Sequence, residues 1–305
     1  MSRDETMFPR QALAQRLNLD CGGHLETFGP VADFKTPVGP KPRFETLLGP
    51  ATSMAGRRLA LMAHYDPEQL VDPYVIHYLK ALRDMGYELI LASQGRPALT
   101  GELKALLLAA VGRIGPGWDF ASWQCAFRAW PTLFEAREIL LVNDSVFGPF
   151  SPLNQIHETM SGVACDFWGL CESREIQPHL QSYYLVFRES AVKSQVFRDF
   201  WAELRASDRP QSIAAELGLT RKLAQGGLNP AAYVTSGSLP QTNISPIHYF
   251  WRPLQALFGV PFFKRDLLRG DLPMIRAKGW RELAAAGNYD VALIDRYFQR
   301  IKAAW

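Results

Sequence analysis

Two short apolar runs separated by a helical pattern occupy residues 59 to 93 and restrict the chain to a small group of folds. The runs are Leu59–Asp66 and Glu88–Ser93, and between them Pro73–Met85 carries apolar residues at helical spacing. Asp72 precedes the helical pattern as an N-cap, with proline in the first helical position. A strand, a helix and a strand in this order predict a parallel pair joined by a right-handed crossover. The unit therefore predicts an α/β fold with a mostly parallel sheet.

The rest of the chain continues this alternation. Glu138–Val142 is a run of Ile, Leu and Val that predicts another buried strand. Further strands are predicted at Ala164–Leu170, Pro178–Arg188 and Tyr233–Thr235, and helices at Leu99–Val111, Ser122–Phe127, Leu153–Met160, Ser190–Leu204, Ile213–Leu223 and Val291–Ala304. We predict one domain over residues 57–305, ending in C-terminal helices. Residues 1–56, rich in proline and glycine, are predicted to be an extended or helical appendage.

Charge and cysteine spacing argue against several classes of protein. The formal net charge of +3 gives no general attraction for polyanions, so we expect no nucleic-acid partner. The four cysteines lack C-x-x-C spacing, and Cys165 and Cys171 lie too far from His157 and His179 in sequence for the usual zinc sites. A nicotinamide-dependent enzyme is disfavoured because no G-x-G-x-x-G follows the first strand.

Hydropathy gives an expectation about location. The N-terminal residues lack the apolar region of a secretory signal, and no run approaches the ~18 apolar residues of a membrane span. We therefore expect a cytoplasmic protein.

Polar side chains follow several of the predicted strands at their carboxyl ends, where open α/β sheets bind ligands. These residues are Tyr65 and Asp66 after the first strand, Asn143, Asp144 and Ser145 after Glu138–Val142, and Gly117 and Asp119 in a glycine-rich loop before a helix. Acid and amide groups there could bind a metal, a ribose or a diphosphate. The alternative is structural, because Asn and Asp also cap turns and helix N-termini.

Several motifs in a fixed order resemble one known family. They are GWDFASW at 117–123, NDSVFGPF at 143–150, CDFWGLCES at 165–173, PHLQSYYLVF at 178–187, ELGLTRKL at 216–223, and HYFWRPL and PFFKRDLLR within 248–269. Each motif alone is weak, but their shared order resembles the rhamnan synthesis protein F family from about residue 57 to about residue 275.

The resemblance implies a GT-A-type glycosyltransferase of bacterial surface polysaccharide assembly, with a Rossmann-like, mostly parallel sheet flanked by helices. It implies a nucleotide-diphospho-sugar donor, typically dTDP-rhamnose, and a growing polysaccharide or lipid-linked glycan as acceptor. A peripheral contact with the cytoplasmic face of the inner membrane is a further expectation. A second hypothesis keeps the fold without catalysis, as a nucleotide-sugar or glycan-binding module of a synthesis complex.

The diphosphate site has two open alternatives. GT-A enzymes usually place Asp-x-Asp at the end of a central strand to hold a divalent metal, and this chain has Asn143-Asp144-Ser145. Either Mg²⁺ or Mn²⁺ binds there, held by the oxygens of Asp144, Asn143 and the diphosphate. Or no metal is needed, and basic groups neutralise the leaving group. The candidates for the second role are His248, Lys264, Arg265 and Arg269.

The resemblance also suggests roles for other residues. An inverting transfer needs a general base, and Glu216 in ELGLT matches the position expected for it, at the start of a helix. Asp166 is a weaker candidate for the same role. Nucleotide contacts are expected from Tyr65, Asp66, Gly117 and Asp119, and contacts with the sugar or acceptor from Trp168, His179 and Gln181.

Overall fold

The computed structural model describes residues 21–25, 40–50, 52–206, 208–239, 243–270, 272, 275 and 277–303. Within these ranges, twelve strands alternate with helices. No helix among them is long and apolar enough to cross a membrane.

The strands are β1 Gly23–His24, β2 Arg43–Leu48, β3 Arg58–His64, β4 Glu88–Gln94, β5 Leu107–Ile114, β6 Glu138–Asn143, β7 Val146–Phe147, β8 Phe167–Ser173, β9 His179–Leu180, β10 Tyr184–Arg188, β11 Pro230–Val234 and β12 Phe263–Lys264. The helices are α1 Pro73–Asp84, α2 Gly101–Leu106, α3 Asp119–Ala129, α4 Asn154–Ser161, α5 Glu189–Val192, α6 Gln195–Glu203, α7 Arg209–Gln225, α8 Pro246–Tyr249, α9 Trp251–Ala256, α10 Arg265–Arg269, α11 Trp280–Ala286 and α12 Ala292–Ala303. Single 3₁₀ turns lie at Pro131–Glu135 and Ser236–Ser238.

The main sheet has the strand order β1-β11-β8-β10-β6-β3-β4-β5-β2, and β9 adds to β8 outside this path. Strands β3, β4, β5, β6, β8 and β11 run in one direction, whereas β1, β2 and β10 run in the other. The predicted α/β fold with a mostly parallel sheet flanked by helices is therefore confirmed. A separate pair, β7 and β12, is antiparallel.

Alternate residues of the central strands face two hydrophobic cores, one on each side of the sheet. On β3, Ala60 and Met62 belong to one core, and Leu59 and Leu61 belong to the other. Helices α1 and α12 cover the first side, where the rings of Tyr74 and Tyr297 lie 5.2 Å apart. Helices α3, α6 and α7 cover the second side. Because both faces are covered, the interior residues of the central strands β3, β4 and β6 are mostly apolar, as their sequences predicted.

The parallel strands end at one edge of the sheet, which we call the carboxyl edge. At this edge Ala63 lies beside Asn143, and the His64 ring is 2.8 Å from the Ser93 hydroxyl. The β7–β12 pair also reaches this edge, because it begins three residues after β6 and pairs Val146 with Lys264. The register thus brings residues 143–145 and 264–265 together.

Three predicted elements differ from the structure. The helix predicted at Leu99–Val111 is wrong beyond Leu106, because Leu107–Ile114 pairs with β4 as a buried strand. The strand predicted at Pro178–Arg188 is divided into β9 and β10. The helix predicted at Ser190–Leu204 is divided too, since Ser194 caps α6 by accepting from the Phe197 amide.

Most of residues 1–56, the predicted appendage, lies outside the described residues. The described part of this segment contributes one strand to each outer edge of the main sheet. Arg43–Leu48 pairs with β5, and Gly23–His24 pairs with β11.

Candidate active site

A polar turn after β6 forms the centre of the site. The Asn143 side-chain oxygen accepts the Ser145 amide at 3.2 Å and also the Ser145 hydroxyl. Asp144, which is 4% exposed, accepts the Tyr65 amide through Oδ2 at 3.2 Å. The turn capping expected of Asn143 is therefore present, and Asp144 joins the ends of β3 and β6.

Two basic side chains from the β12–α10 junction cover this turn. The Lys264 ammonium donates to the Ser145 hydroxyl at 2.8 Å. The Arg265 guanidinium donates to Asp144 Oδ2 at 3.2 Å and to the Tyr74 hydroxyl at 2.9 Å. Burial by itself would lower the pKa of Arg265, but Asp144 and Tyr74 outweigh it and raise that pKa well above its usual range. Arg265 thus stays charged beside Asp144.

Asp119, the first residue of α3, adds a second carboxylate. Its Oδ2 accepts the Asn143 side-chain amide at 2.7 Å. Burial, followed by the negative charge of Asp144, raises the pKa of Asp119 to about 7. It makes no side-chain cap for α3, because Trp118 occupies the N-cap position. Asp119 is therefore directed toward the polar turn instead of capping its own helix.

Glu216 joins the same cluster from α7. It accepts the Ser182 amide at 2.8 Å, and its charge acts on Asp119. It lies in the middle of α7 instead of near the start of a helix, because α7 already begins at Arg209. The sheet edge thus brings together Tyr65, Asp119, Asp144, Glu216 and the two cations.

The segment between β9 and β10 lies beside this cluster. Gln181 is on this segment next to Ser182, which Glu216 holds, and His179 begins β9 directly before it. The His179 Nδ1 atom is 2.8 Å from the Gln177 carbonyl oxygen. Gln181 donates to the Ser245 hydroxyl at 3.1 Å. Both residues are more than nine-tenths buried.

His248 has protein partners on both sides of its ring. Nδ1 is 2.8 Å from the Ser245 hydroxyl, and Nε2 is 3.0 Å from Asp266 Oδ1. Both ring nitrogens of His248 are therefore engaged by the protein, and neither is left for a diphosphate.

The carboxylate of Asp66, which was predicted to contact the nucleotide, is bonded to other parts of the chain. Its Oδ1 accepts the amides of Glu68 at 3.0 Å and Leu70 at 3.1 Å, and its carboxylate pairs with Arg300 of α12. Arg300 also pairs with Asp72. The carboxylate of Asp66 is therefore already bonded, both to the turn that follows β3 and to Arg300 of α12.

Close packing, and not the approach of a ligand, explains the glycine at position 117. It has φ +133°, and a Cβ there would lie 2.6 Å from the Ala121 Cβ and 2.9 Å from the Ala206 carbonyl oxygen. Its own carbonyl accepts the buried Arg113 guanidinium at 2.9 Å. Glycine is needed because the loop packs tightly against α3.

Trp168 and Asp166 lie away from the carboxyl edge. Trp168, near the start of β8, is 2% exposed and lines a hollow with Arg58 and Glu138, which begin β3 and β6. Asp166 accepts the Ser190 hydroxyl and, at 2.8 Å, the Asn229 amide. Trp168, expected as a sugar contact, and Asp166, the weaker candidate for the base, thus lie at the edge of the sheet opposite the polar turn.

Sequence reasoning did not identify two residues of this edge, Trp118 and Arg113. Trp118 is 45% exposed and lies next to Asp119, much as the predicted Tyr65 is 49% exposed at the end of β3. Arg113 is buried and donates to Gln94 at 2.8 Å and Ser122 at 3.1 Å, so it holds the glycine loop on α3. The GWDF motif contained the signal for Trp118, but Arg113 lies inside a run predicted to be loop.

The polar turn offers few free ligands for a divalent metal. The Asn143 oxygen is occupied by Ser145, and Asp144 Oδ2 is held by Arg265 and the Tyr65 amide. Lys264 adds a second positive charge at hydrogen-bond distance from Ser145. Hard divalent cations need several free oxygen ligands, so these residues fit Mg²⁺ or Mn²⁺ poorly.

Known proteins resemble this chain in sequence and, more distantly, in structure. Virulence protein VirA of Vibrio anguillarum is 27% identical over 188 residues, covering 50% of this chain and 60% of the relative. A protein described as a nucleotide-diphospho-sugar transferase from Desulfovibrio desulfuricans G20 has a TM-score of 0.33 at 13% identity, covering 78% of this chain and 97% of that one.

A second solved structure is a glycosyltransferase involved in the glycosylation of the major capsid of PBCV-1. Its TM-score is 0.34 at 11% identity, with 76% of this chain and 99% of that chain covered. TM-scores this low carry no weight in assigning a function.

A family model gives the firm assignment. The model of rhamnan synthesis protein F matches residues 89–304, well over half of the 305 residues. The matched range includes the polar turn, Glu216 and both cations. The chain therefore belongs to the rhamnan synthesis protein F family, as its motifs indicated.

Proposed function

We propose that this protein is a GT-A-type, inverting glycosyltransferase that uses a nucleotide-diphospho-sugar, with dTDP-rhamnose as the expected donor. The acceptor is a growing surface polysaccharide or a lipid-linked glycan, modified in the cytoplasm at the inner face of the inner membrane. Membership of the family supports the reaction class. The observation that carries the proposal is the pair Lys264 and Arg265, held over the polar turn of β6 with Glu216 in the same cluster.

The two cations suit a departing diphosphate. Breaking the bond between the anomeric carbon and the diphosphate leaves its electron pair, and hence negative charge, on the phosphate oxygens. Preorganised cations at that position stabilise the developing charge by charge-assisted hydrogen bonds. Lys264 and Arg265 are fixed before the donor arrives, so little reorganisation is needed. This proposal gives the role of a metal to the protein's own side chains.

Glu216 has the properties of the base that inversion requires. Its Oε1 is held by the Ser182 amide. Among the described residues, Oε2 makes no hydrogen bond or ion pair. The acceptor hydroxyl would give its proton to this carboxylate as its oxygen bonds to the anomeric carbon.

The exposed rings of Tyr65 and Trp118 are the proposed contacts for the nucleoside. Both rings are exposed; Trp118 is next to Asp119 in sequence, and the Tyr65 amide donates to Asp144, whose charge acts on Asp119. Asp119 can accept from a base N–H or a ribose hydroxyl. An exposed aromatic ring at this edge offers a flat apolar face on which a nucleoside base can stack.

One observation favours the second hypothesis of a non-catalytic binding module. Asn143 stands where an acid is usual, and its oxygen is already engaged by Ser145. Such a module would bind the donor without cleaving it. Product formation separates the two hypotheses directly.

A panel of nucleotide sugars tests the proposal. Each donor is added to the purified chain, and the melting temperature and the release of nucleoside diphosphate are measured. A bound donor raises the melting temperature by mass action. We expect dTDP-rhamnose to give the largest shift and to release dTDP when an acceptor glycan is present. A chain that no nucleotide sugar stabilises is not this enzyme.

A further inference from the structure

A chain of four hydrogen-bonded side chains links the segment before β10 to the start of α10. Gln181 Nε2 lies 3.1 Å from the Ser245 hydroxyl, which lies 2.8 Å from His248 Nδ1. His248 Nε2 lies 3.0 Å from Asp266 Oδ1. Asp266 directly follows Arg265, and Gln181 directly precedes Ser182, which Glu216 holds. The chain therefore connects the cation side of the site with the side of the proposed base.

The direction of each hydrogen bond in this chain of side chains follows from the Asp266 carboxylate at one end of it. His248 lowers the pKa of Asp266, after the opposing effect of burial, to about 2, so this group is ionised and can only accept. The His248 Nε2 atom, 3.0 Å from this carboxylate, therefore donates to it. In the tautomer that carries its proton on Nε2 alone, Nδ1 is an acceptor. The Ser245 hydroxyl donates to Nδ1, and its oxygen accepts from the Gln181 amide nitrogen.

This order fixes the orientation of the Gln181 amide. With Nε2 bonded to Ser245, Oε1 faces the other way. Oε1 is shielded from solvent and has no hydrogen-bond partner among the described residues. A buried acceptor without a donor is unfavourable, so a group that donates to it would bind with a gain. A sugar hydroxyl can donate, whereas an ionised phosphate oxygen cannot.

We propose that Gln181 Oε1 accepts a hydroxyl of the transferred sugar, and that Ser245, His248 and Asp266 position it for this contact. This inference rests on the proposed function and adds a specificity-determining group to it. Gln181 directly precedes Ser182, which holds the proposed base, and its hydrogen-bonded chain ends at Asp266, directly after Arg265. Because Oε1 is covered in the unliganded chain, the sugar displaces the groups that cover it.

The tautomer of His248 tests the relay without any ligand. Nitrogen NMR of the full chain with labelled histidine, assigned by comparison with His248→Gln, reports which ring nitrogen is protonated. We expect a proton on Nε2 and none on Nδ1. A proton on Nδ1, in a neutral or in a charged ring, would make that atom donate to Ser245, remove the reason for the orientation of the Gln181 amide and overturn the proposal.

Calorimetry with dTDP and dTDP-rhamnose tests the contact itself. In Gln181→Met, we expect the affinity for dTDP-rhamnose to fall about tenfold relative to that for dTDP, whose own affinity is unchanged. Ser245→Ala should lose part of the same preference, and Ser245→Thr, which keeps the hydroxyl, should restore it. Gln255→Met is the matched control, because Gln255 is also buried with an unpartnered Oε1 among the described residues.

The outcomes separate the sugar contact from the proposed function. An unchanged preference in Gln181→Met overturns the sugar contact while leaving the proposed function intact. If the wild-type chain binds neither dTDP nor dTDP-rhamnose, the proposed donor fails. Saturation-transfer NMR with methyl rhamnoside then tests the hydroxyl site alone. A signal that Gln181→Met weakens supports the site, and an equal signal in both proteins overturns it.

Discussion

The Arg265 guanidinium lies 3.2 Å from Asp144 Oδ2, although 121 positions separate the two residues in sequence. Asp144 lies in the turn after β6, and Arg265 begins α10 directly after β12. The short β7–β12 pair brings them together. This ion pair is 22% exposed on the arginine side and 5% on the carboxylate side, so it is shielded from solvent. It places a permanent cation where a GT-A enzyme usually holds a metal.

Transfer should not require a divalent metal. Lys264 and Arg265 occupy the space around the turn, and Asn143 and Asp144 have few free oxygens left. We expect initial rates with dTDP-rhamnose to change by less than about twofold when EDTA replaces Mn²⁺, since the diphosphate charge is met by fixed cations. Loss of activity in EDTA, restored by Mn²⁺, would instead assign a metal to this site.

Glu216→Gln should abolish transfer while preserving donor binding. The amide keeps an oxygen that accepts the Ser182 amide but cannot take a proton from the acceptor. Loss of a general base costs on the order of 10²–10⁴-fold in rate. Rapid-quench assays measure the rate and calorimetry measures donor affinity. Glu203→Gln, an exposed residue paired with Lys222, is the control. Normal turnover in Glu216→Gln would remove this residue as the base.

Asp119→Asn should stabilise the protein above neutral pH. The pKa of about 7 in the folded chain exceeds the ordinary value, so the folded state holds this proton more tightly. The stability that this provides is present in acid and is lost as pH rises through 7. Because one pKa unit is about 1.4 kcal/mol and Asp119 is only half-buried, we expect a gain of about 2 kcal/mol at pH 8.

Urea unfolding at pH 8 and at pH 4 measures the Asp119 effect. Most of the gain should be lost at pH 4, where the carboxyl is protonated in the folded state and about half protonated in the unfolded state. Asp84→Asn, at an exposed position, controls for the loss of any carboxylate. An equal gain at both pH values would show that the effect does not come from titration of Asp119.

Arg300→Ala should destabilise the fold without changing donor affinity. It leaves Asp66 and Asp72 without their partner, at side-chain exposures of 4% and 11%. Breaking a pair of this kind costs about 2 to 4 kcal/mol. Arg296→Ala, which removes an exposed pair with Asp290, should cost under about 1 kcal/mol. A loss of dTDP affinity in folded Arg300→Ala would return Asp66 to the nucleotide site.

The sequence pattern correctly predicted the helices and strands whose conformation is decided by their own residues. Pro73–Asp84 has a clear helical period and Glu138–Asn143 is a short run of branched apolar residues, and their structures match the predictions to within one residue at each end. Leu107–Ile114 does not, because an apolar run of this length suits a buried strand or a helix equally well. Pairing with β4 decides the question, and pairing is a property of the whole sheet.

The candidate site also depends on contacts between distant parts of the chain, which the sequence pattern does not reveal. The resemblance pointed to Asp144, Lys264 and Arg265, and the sheet brings them together. Asp66 has the same position at a strand end as Asp144, and only the docking of Arg300, 234 positions away, separates their roles. Trp168 lies within a motif that resembles the family. Strand β8, which contains this motif, runs from one edge of the sheet to the other, and Trp168 is near its start, at the edge opposite the polar turn.

The most direct test is calorimetric titration of dTDP, UDP and GDP into the wild-type chain and Lys264→Met. Lys264 is half-buried and contacts the Ser145 hydroxyl, so its loss should spare the fold. Lys80→Met, at an exposed pair with Glu102, is the matched control. We predict that one nucleoside diphosphate, dTDP, binds the wild-type and Lys80→Met chains equally, and binds Lys264→Met at least tenfold more weakly. Equal affinity in Lys264→Met, or no binding of any of the three by the wild-type chain, would contradict the central claim that this strand edge holds a nucleotide diphosphate.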